Sequence, residues 1–365
     1  MKTPILHLTR AVLLGLIISA PTTSIANGLN ADQAFQKGTT LIKQNNLPQG
    51  LDWLKKAAAQ GHAQAAFELG SLHESGLALP KDYNKAKAYY ESAIIQGHRN
   101  AHFNLALLLN NEKTPFSNLQ HARNLMEVIA KKGDIEAQYV LATLMENTLR
   151  NVGPQPSKAI HWLGEAANQG HAKAQFKLGM YYLKGQGITR NPQTAFKWFS
   201  KAAEKNVAGA QFNLAMMYEK GDGVAPSMKK ALQWYESASH LGNANAQQNL
   251  GIKYLLGEQV PQRTHKALDL ITRAAGSGLR NSQLLLGQLY QSGYNGKIKI
   301  DLAQAEKWYL SAAKQGVTDA QYQLGLILLE KHNQTSKAQF WIQQAAAAGI
   351  SLADLFDNAI EEALR

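Results

Sequence analysis

Apolar and small side chains recur along this chain with a helical period inside short segments. In residues 171–205, Ala174, Leu178 and Tyr182 lie four positions apart and share one face of a helix, while Phe176 and Met180 lie nearly opposite. A helix that is apolar on two sides has to be covered on two sides. The pattern therefore predicts helices that are each sandwiched between neighbours.

The same segment returns at a nearly constant spacing along the chain. A small residue stands four positions before the central Leu, and Gly or Ala follows it directly, which leaves space for aromatic side chains of a neighbouring helix. A fixed period of this kind is typical of a stacked repeat protein. The central leucines, called anchor leucines below, are Leu69, Leu105, Leu141, Leu178, Leu214, Leu250, Leu286 and Leu324.

A second helical pattern follows each anchor segment. It carries an Ala three positions before an aromatic residue, which predicts a second packing face; the pairs are Ala86/Tyr89, Ala159/Trp162, Ala195/Trp198, Ala231/Trp234, Ala305/Trp308 and Ala338/Trp341. Four positions before the Ala stands a residue that can cap a helix N-terminus through its side-chain oxygen. These predicted caps are Asp82, Asn118, Asn191, Ser227 and Asp301.

A Gly, or in one case Asn, stands eight positions before each anchor leucine. These residues are called the glycine column. Gly enters the left-handed backbone conformation at a helix C-terminus without a steric clash, and Asn tolerates it next best. The column therefore predicts a tight turn with positive φ between each second helix and the next repeat. Its members are Gly61, Gly97, Gly133, Gly170, Asn206, Gly242, Gly278 and Gly316, with Gly349 in the same place after the last Trp.

The segments AKAQFKLGMYYLKGQGI and NPQTAFKWFSKAAEKN resemble the Sel1-like repeat, a relative of the tetratricopeptide repeat. The resemblance covers nearly all of the chain after residue 30 and implies an all-α, right-handed α-solenoid superhelix of about nine helical hairpins. It also implies a protein-interaction scaffold, often exported from bacteria, without catalytic residues. The chain departs from the family pattern where the GxG loop is absent, after Leu105, Leu141 and Leu324.

The two ends differ from the repeats. Residues 1–26 have Lys2 and Arg10 before a short apolar run and a small-residue exit, which predicts a cleaved signal peptide; a buried or membrane-anchoring helix is the alternative. Residues 27–60 are expected to form a degenerate capping hairpin with Asp32 as N-cap, and residues 61–349 one continuous solenoid. An amphipathic stripe predicts a capping helix over residues 350–365.

Composition narrows the class of partner. The chain has 365 residues, no Cys and a formal net charge of +12, which falls to about +10 once residues 1–26 are removed. Without disulfides, stability has to come from packing between neighbouring repeats. The positive charge favours acidic partners or surfaces, and because it is not concentrated in a basic run with aromatics, it does not favour nucleic acid.

The sequence contains no recognisable catalytic constellation. HExxH and GxSxG motifs and nucleophilic cysteines are absent, so an enzyme is only a remote alternative, and no cofactor is expected. His98 and His102 have a metal-compatible spacing but no accompanying carboxylate or Cys pattern, so no metal site is predicted. Tyr182, Tyr218, Tyr254 and Tyr290 could suggest sugar stacking, but their place on the packing face indicates core.

One surface is the candidate binding site. On each first helix, the positions five before, one before and six after the anchor Leu share one direction and are mostly polar. A solvated helix face is the plain alternative. In the middle of the chain these positions predict a basic, amide-rich trough for a partner's carboxylates, formed by Lys173, Lys177, Lys184, Asn213, Lys220, Asn245 and Asn249.

The expected partner of this monomer is a protein with an acidic surface, with membrane-surface contact as a further possibility. Export through the signal peptide would place the chain in the periplasm or outside the cell. Two roles remain open at this point. One is interaction with a host during entry by an intracellular bacterium, and the other is that of a periplasmic adaptor of a cell-wall enzyme or of envelope assembly.

Overall fold

The computed structural model describes residues 29–146, 156–332 and 335–348, and the regular secondary structure of these residues is α-helical. The predicted signal peptide over residues 1–26 and the predicted capping helix over residues 350–365 lie outside the described residues, as does Gly349. Among the described helices, none is both long and apolar enough to cross a membrane.

The chain divides into two compact units, residues 1–171 and residues 172–365. The described helices of the N-terminal unit are α1 (Ala31–Lys43), α2 (Leu47–Ala59), α3 (Ala63–Ser75), α4 (Tyr83–Ile95), α5 (Arg99–Asn110), α6 (Leu119–Ala130), α7 (Ile135–Glu146) and α8 (Pro156–Asn168). Those of the C-terminal unit are α9 (Ala172–Lys184), α10 (Pro192–Glu204), α11 (Ala208–Lys220), α12 (Met228–His240), α13 (Ala244–Leu256), α14 (Thr264–Gly276), α15 (Arg280–Ser292), α16 (Leu302–Ala313), α17 (Thr318–His332) and α18 (Thr335–Ala347).

Within each unit the helices form hairpins that stack in chain order. Every odd-numbered helix packs against the even-numbered helix that follows it, and within one unit that second helix packs against the first helix of the next hairpin. The described residues thus form nine hairpins, and the predicted all-α repeat architecture is confirmed. Each repeat contacts its sequence neighbours, as expected of a solenoid.

The small residue after the anchor Leu receives a large side chain from the second helix of the same hairpin. A Cβ placed on Gly70 would lie 2.7 Å from Tyr90, and one placed on Gly287 would lie 2.5 Å from Tyr309. The predicted fit of small residues to aromatic side chains is therefore confirmed, with one correction. The fully buried residue stands four positions after the recurring Ala, as Tyr90 does after Ala86, whereas Tyr89 is only half-buried.

The predicted turns and caps are confirmed at nearly every position. Every described member of the glycine column has positive φ, including Asn206 at 59°. At Gly61 the turn is closed by hydrogen bonds from Gly61 N–H to Ala58 O and from His62 N–H to Ala57 O, each 3.0 Å, which is the Schellman arrangement. The five predicted N-cap side chains all accept a backbone N–H of the first turn.

The predicted cap of the first helix is wrong. Asn30, and not Asp32, is the N-cap of α1: its side chain accepts from Gln33 N–H at 2.8 Å, and the Gln33 side chain accepts from Asn30 N–H at 3.1 Å. Asp32 lies in the first turn, where its negative charge suits the positive end of the helix dipole. Asn30 and Asp32 can both cap a helix, and only the backbone conformation shows which of them does so.

In five hairpins a buried glutamine bonds to the preceding hairpin, a feature that the sequence pattern did not indicate. Gln211 is 2% exposed, and its Nε2 donates to Ala203 O, in the last turn of the preceding helix, at 3.1 Å. This bond gives a hydrogen-bond partner to a carbonyl at a helix C-terminus, where no helical N–H is available. It is also made by Gln138 to Ala130 O, Gln247 to Ser239 O, Gln283 to Ala275 O and Gln321 to Ala313 O.

Candidate protein-interaction surface

The residues of the predicted trough lie on α9, α11 and α13, the first helices of three consecutive hairpins of the C-terminal unit. Lys173, Lys184 and Lys220 are exposed, and among the described residues none of them makes an ion pair. Lys184 and Lys220 are the last residues of their helices, where the helix dipole favours a cation. These three ammonium groups are therefore available to an anionic partner.

The other members of the predicted set are less uniform. Lys177, Asn213 and Asn249 are half-buried. The Asn213 amide donates to Gly209 O at 2.7 Å, and the Asn249 amide donates to the Tyr235 hydroxyl at 3.3 Å, so part of their hydrogen-bonding capacity serves the hairpins themselves. Asn245 is exposed and makes no side-chain hydrogen bond to a described residue.

The charge of the chain is unevenly distributed between the two units. Residues 172–348 contain 21 Lys and Arg against ten Asp and Glu, whereas residues 29–171 contain 14 against 12. Residues 349–365 add one Arg and four acids, so the whole C-terminal unit has a net charge of +8 and residues 1–171 have +4. A surface with one predominant sign raises the rate of encounter with an oppositely charged partner and disfavours partners of the same sign.

A partly buried ion pair in this unit was missed by the sequence analysis. Lys253 Nζ lies 2.6 Å from Glu219 Oε1, with 14% and 29% of the two side chains exposed. The Tyr235 hydroxyl donates to the other Glu219 oxygen at 2.6 Å. A signal existed, because the position of Lys253, three after the anchor Leu, is apolar in every other repeat.

The surroundings of Glu219 favour its ionised form. Burial opposes ionisation of Glu219, but the hydrogen bonds from Lys253 and Tyr235 outweigh it and lower the pKa of this carboxyl. Burial and the adjacent carboxylate together raise the pKa of Tyr235, so its hydroxyl stays protonated. Glu219 and Lys253 line an open cleft of about 440 Å³ with Pro226, Ser227, Met228, Glu258 and Gln259.

The second helices offer a different surface. Trp198 is half-buried on α10, and the Lys201 ammonium lies 4.5 Å from the centroid of its ring, within the range of a cation–π contact. A shallow depression of about 560 Å³ surrounds these two residues and Lys197. Its lysines have the same sign of charge as those of the first helices.

Histidines that follow the glycine column connect repeats within the N-terminal unit. The His62 ring stacks on Phe35 with centroids 4.2 Å apart, and its Nδ1 accepts from Ala65 N–H at 3.1 Å, so it caps α3. His98 stacks on Phe67 in the same way, at 4.3 Å. Burial lowers the pKa of both histidines, which keeps them neutral near pH 7. Each of these histidines thus contacts an aromatic ring of the preceding hairpin.

The described residues contain no group of three or more His, Asp or Glu arranged to hold a metal ion. His98, half of the pair considered from sequence, instead has its Nε2 2.8 Å from Gln64 Oε1. The half-buried tyrosines at 182, 218 and 290 and the buried Tyr254 pack against the hydrophobic clusters of the C-terminal unit. The candidate binding groups of the C-terminal unit are therefore its exposed lysines and carboxamides.

Stacked helical hairpins with exposed polar faces define a helical-repeat solenoid, a class of scaffold typical of protein–protein interaction. The chain belongs to the Sel1 repeat family. The sequence profile of the Sel1 repeat matches residues 31–62, 63–98, 135–171, 172–207, 208–243, 244–279, 280–317 and 318–350. It does not match residues 99–134, which nevertheless form the hairpin of α5 and α6.

Two solved structures resemble this chain over most of its length. A Sel1 repeat protein from Oxalobacter formigenes is 25% identical, with a TM-score of 0.73, and the match covers 87% of this chain and 99% of that one. The protein c5321, described as a protective antigen present in uropathogenic Escherichia coli strains, is 28% identical, with a TM-score of 0.70, over 88% of this chain and 70% of that one.

Curated relatives match over a shorter stretch. The uncharacterized protein NMB1327 of Neisseria meningitidis is 30% identical over 151 residues, which is 41% of this chain and 31% of that protein. The DAP3-binding cell death enhancer 1 of Rattus norvegicus is 26% identical over 156 residues, or 42% of this chain and 30% of that protein. The matched part of this chain thus spans about a third of the length of these relatives.

Proposed function

We propose that this chain is an exported, non-catalytic scaffold that binds an acidic surface of a partner protein through the C-terminal unit. The observation that carries the proposal is the excess of 21 basic over ten acidic residues in residues 172–348. Lys173, Lys184 and Lys220 add to it, because they are exposed and form no ion pair with a described residue. Ammonium groups without an internal partner gain more from an incoming carboxylate than those already in ion pairs.

Export is supported by the pattern of residues 1–26 and by the likeness to c5321. That protein is described as a protective antigen, and the likeness favours a host-facing role for this chain over a role inside the envelope. A periplasmic adaptor of a cell-wall enzyme or of envelope assembly is the competing role. Fractionation of native cells into cytoplasm, periplasm, outer membrane and medium distinguishes them, and recovery in the cytoplasm with residues 1–26 intact would overturn export.

The acidic-partner proposal is tested with a triple variant, Lys173→Glu, Lys184→Glu and Lys220→Glu. The matched control is Lys43→Glu, Lys113→Glu and Lys132→Glu, which changes the net charge equally with three exposed lysines of the N-terminal unit. Both variants and the wild type are cross-linked to their surroundings in the compartment that holds the native protein. Quantitative mass spectrometry then compares the recovered partners.

We expect the wild type and the control to recover one or more acidic proteins. The Lys173, Lys184 and Lys220 variant should recover about tenfold less of them, which corresponds to a loss of about 1.4 kcal/mol in binding free energy. Recovery should fall with added salt for the wild type and much less for the variant. Equal loss in both variants would show a response to net charge alone. Equal recovery by all three proteins would exclude these lysines from the interface.

A further inference from the structure

A cleft in the N-terminal unit has a different character from the basic surfaces of the C-terminal unit. It has a volume of about 290 Å³ and lies among α3, α5, α6 and α7. The Phe67 and Phe103 rings and the buried Ile129 provide its apolar lining, and Asn100 and Asn104 contribute carboxamides. Arg99, Asp134 and Glu136 complete it. Clefts with an apolar lining and a few polar groups are typical binding sites.

The Phe67 ring at this cleft has a histidine as stacking partner, which the equivalent Phe176 of the C-terminal unit lacks. The Phe67 ring lies 4.3 Å from the His98 ring at an interplanar angle of 17°. In the C-terminal unit the equivalent Phe176 has no histidine to stack on, because Val207 stands where His98 does. Phe176 instead covers Gly209, where an added Cβ would lie 2.9 Å from the ring. Asn100 replaces that Gly in the N-terminal unit and lines the cleft.

The two carboxamides suit a peptide backbone. Asn104 is oriented by its own hydrogen bond, since its amide donates to the Tyr90 hydroxyl at 3.3 Å. Asn100 is exposed and makes no side-chain hydrogen bond to a described residue, so both its oxygen and its NH₂ group are available. A carboxamide offers one acceptor and two donors, the complement of a peptide C=O and N–H.

The charges around the cleft favour a ligand that carries a cationic side chain next to its apolar side chain. Arg99 Nη2 lies 3.3 Å from Asp134 Oδ2, which leaves little net charge on that pair. Glu136 is 59% exposed and lies 3.1 Å from His171 Nε2 through one of its oxygens. Two carboxylates against one guanidinium leave an excess of negative charge, and the surrounding unit is nearly neutral. A Lys or Arg side chain beside the cleft would be attracted.

We propose that this cleft binds an extended segment of a partner protein in which a bulky apolar side chain is followed by Lys or Arg. The apolar side chain enters between Phe67 and Phe103, the backbone bonds to Asn100, and the basic side chain faces Glu136. This site lies in the other unit and selects the opposite charge from the proposed acidic partner, so either proposal can fail without the other.

The test uses the full chain and a fluorescein-labelled octapeptide, Gly-Ser-Gly-Phe-Lys-Gly-Ser-Gly, with two altered peptides in which Phe becomes Ser or Lys becomes Glu. Asn100→Trp places an indole at the cleft. Asn245→Trp is the matched control, because Asn245 occupies the same helical position in the C-terminal unit and is equally exposed. Fluorescence anisotropy measures binding up to about 2 mM protein, a range suited to a contact this small.

We expect the Phe-Lys peptide to bind the wild type and Asn245→Trp equally, and Asn100→Trp at least about fivefold more weakly, because a hot-spot side chain loses its pocket. Both altered peptides should bind the wild type more weakly. Unchanged binding by Asn100→Trp, tighter binding of the Glu peptide, or no detectable binding of the Phe-Lys peptide would each overturn the proposal. Circular dichroism confirms that both variants retain their helicity.

Discussion

Gly179 lies directly against the ring of Phe199, so close that a Cβ on residue 179 would come within 2.7 Å of Phe199 Cε1. Phe199 is fully buried on the second helix of the hairpin whose first helix contains Gly179. Gly in the middle of a helix is ordinarily unfavourable by about 0.5–1 kcal/mol relative to Ala. Its presence here is therefore explained by packing, because in this hairpin an added Cβ would overlap the ring.

This relationship predicts that Gly179→Ala destabilises the protein by about 1–3 kcal/mol, the usual effect of overpacking a core. The matched control is Gly164→Ala in α8, where an added Cβ meets no atom within 4 Å. There the change should stabilise by about 0.5–1 kcal/mol through helix propensity. Chemical denaturation measures both. A gain in stability at residue 179 equal to that at residue 164 would contradict the packing argument.

The turns between repeats give a second prediction, in which two substitutions act in opposite directions. Gly242 has φ of +82°, and a Cβ added there would meet no atom within 4 Å, so strain alone decides the effect of a side chain. Gly242→Val should cost more than about 1 kcal/mol, since β-branched residues strongly disfavour positive φ. Asn206→Gly, at φ of 59°, should be neutral or slightly stabilising.

Thermal unfolding of these two variants checks the assignment. A silent Gly242→Val would show that the turn relaxes to negative φ in solution. A marked loss of stability in Asn206→Gly would show that the Asn side chain, and not its tolerance of left-handed backbone, is what the turn requires.

A half-buried carboxyl in the N-terminal unit, that of Glu68, predicts a pH dependence. Burial raises the pKa of Glu68 from 4.5 to about 7, and its one side-chain hydrogen bond, from Gln64 at 3.1 Å, opposes this only in part. The folded chain therefore holds the proton more tightly than the unfolded chain does. The resulting stability is fully present below pH 4.5 and is lost as the pH rises to about 7.

Glu68→Gln removes this loss, because a carboxamide does not ionise. The variant should match the wild type near pH 4.5 and exceed its stability at pH 8 by about 1–2 kcal/mol, allowing for partial solvent screening. Denaturant unfolding at several pH values between 4.5 and 8 gives the difference in free energy of unfolding between the variant and the wild type. His62 and His98 are present in both proteins, so their contributions cancel. A difference that is independent of pH would contradict the raised pKa.

The ion pair between Lys253 and Glu219 predicts a strongly coupled double-mutant cycle. Lys253→Leu leaves the partly buried Glu219 carboxylate with Tyr235 as its remaining hydrogen-bond partner, which should cost about 2–4 kcal/mol. Adding Glu219→Leu should restore most of that stability, since Leu183 and Leu255 occupy the equivalent position in adjacent repeats. Additive effects of the two changes would show that the pair contributes little.

Much of the fold could be predicted because it depends on local backbone requirements. The capping oxygen of Asn191 and the positive φ at Asn206 each follow from the residue and its immediate neighbours. The repeat period adds the order of stacking, since each hairpin can bury its apolar faces only against adjacent ones. The choice between Asn30 and Asp32 as a cap failed because both can serve and only the observed backbone selects one.

The candidate binding residues could be predicted only in part. Helical periodicity placed Lys173, Lys184 and Lys220 on exposed positions correctly. It could not show that the Asn249 amide donates to the hydroxyl of Tyr235, which belongs to the preceding hairpin. Helical periodicity gives the direction of a side chain around one helix, whereas its burial depends on which side chains of the neighbouring helix lie opposite it.

The sequence by itself indicated about nine hairpins, most of their caps and turns, and the family, because caps, turns and small packing residues recur at a fixed spacing and act locally. The tertiary structure decided which aromatic of each second helix fills the core, placing Phe199 inside and Trp198 at the edge. It also decided that Phe67 stacks on His98 and lines a cleft with residues of three other helices. Both outcomes depend on contacts between residues of different helices, whose geometry no single helical pattern contains.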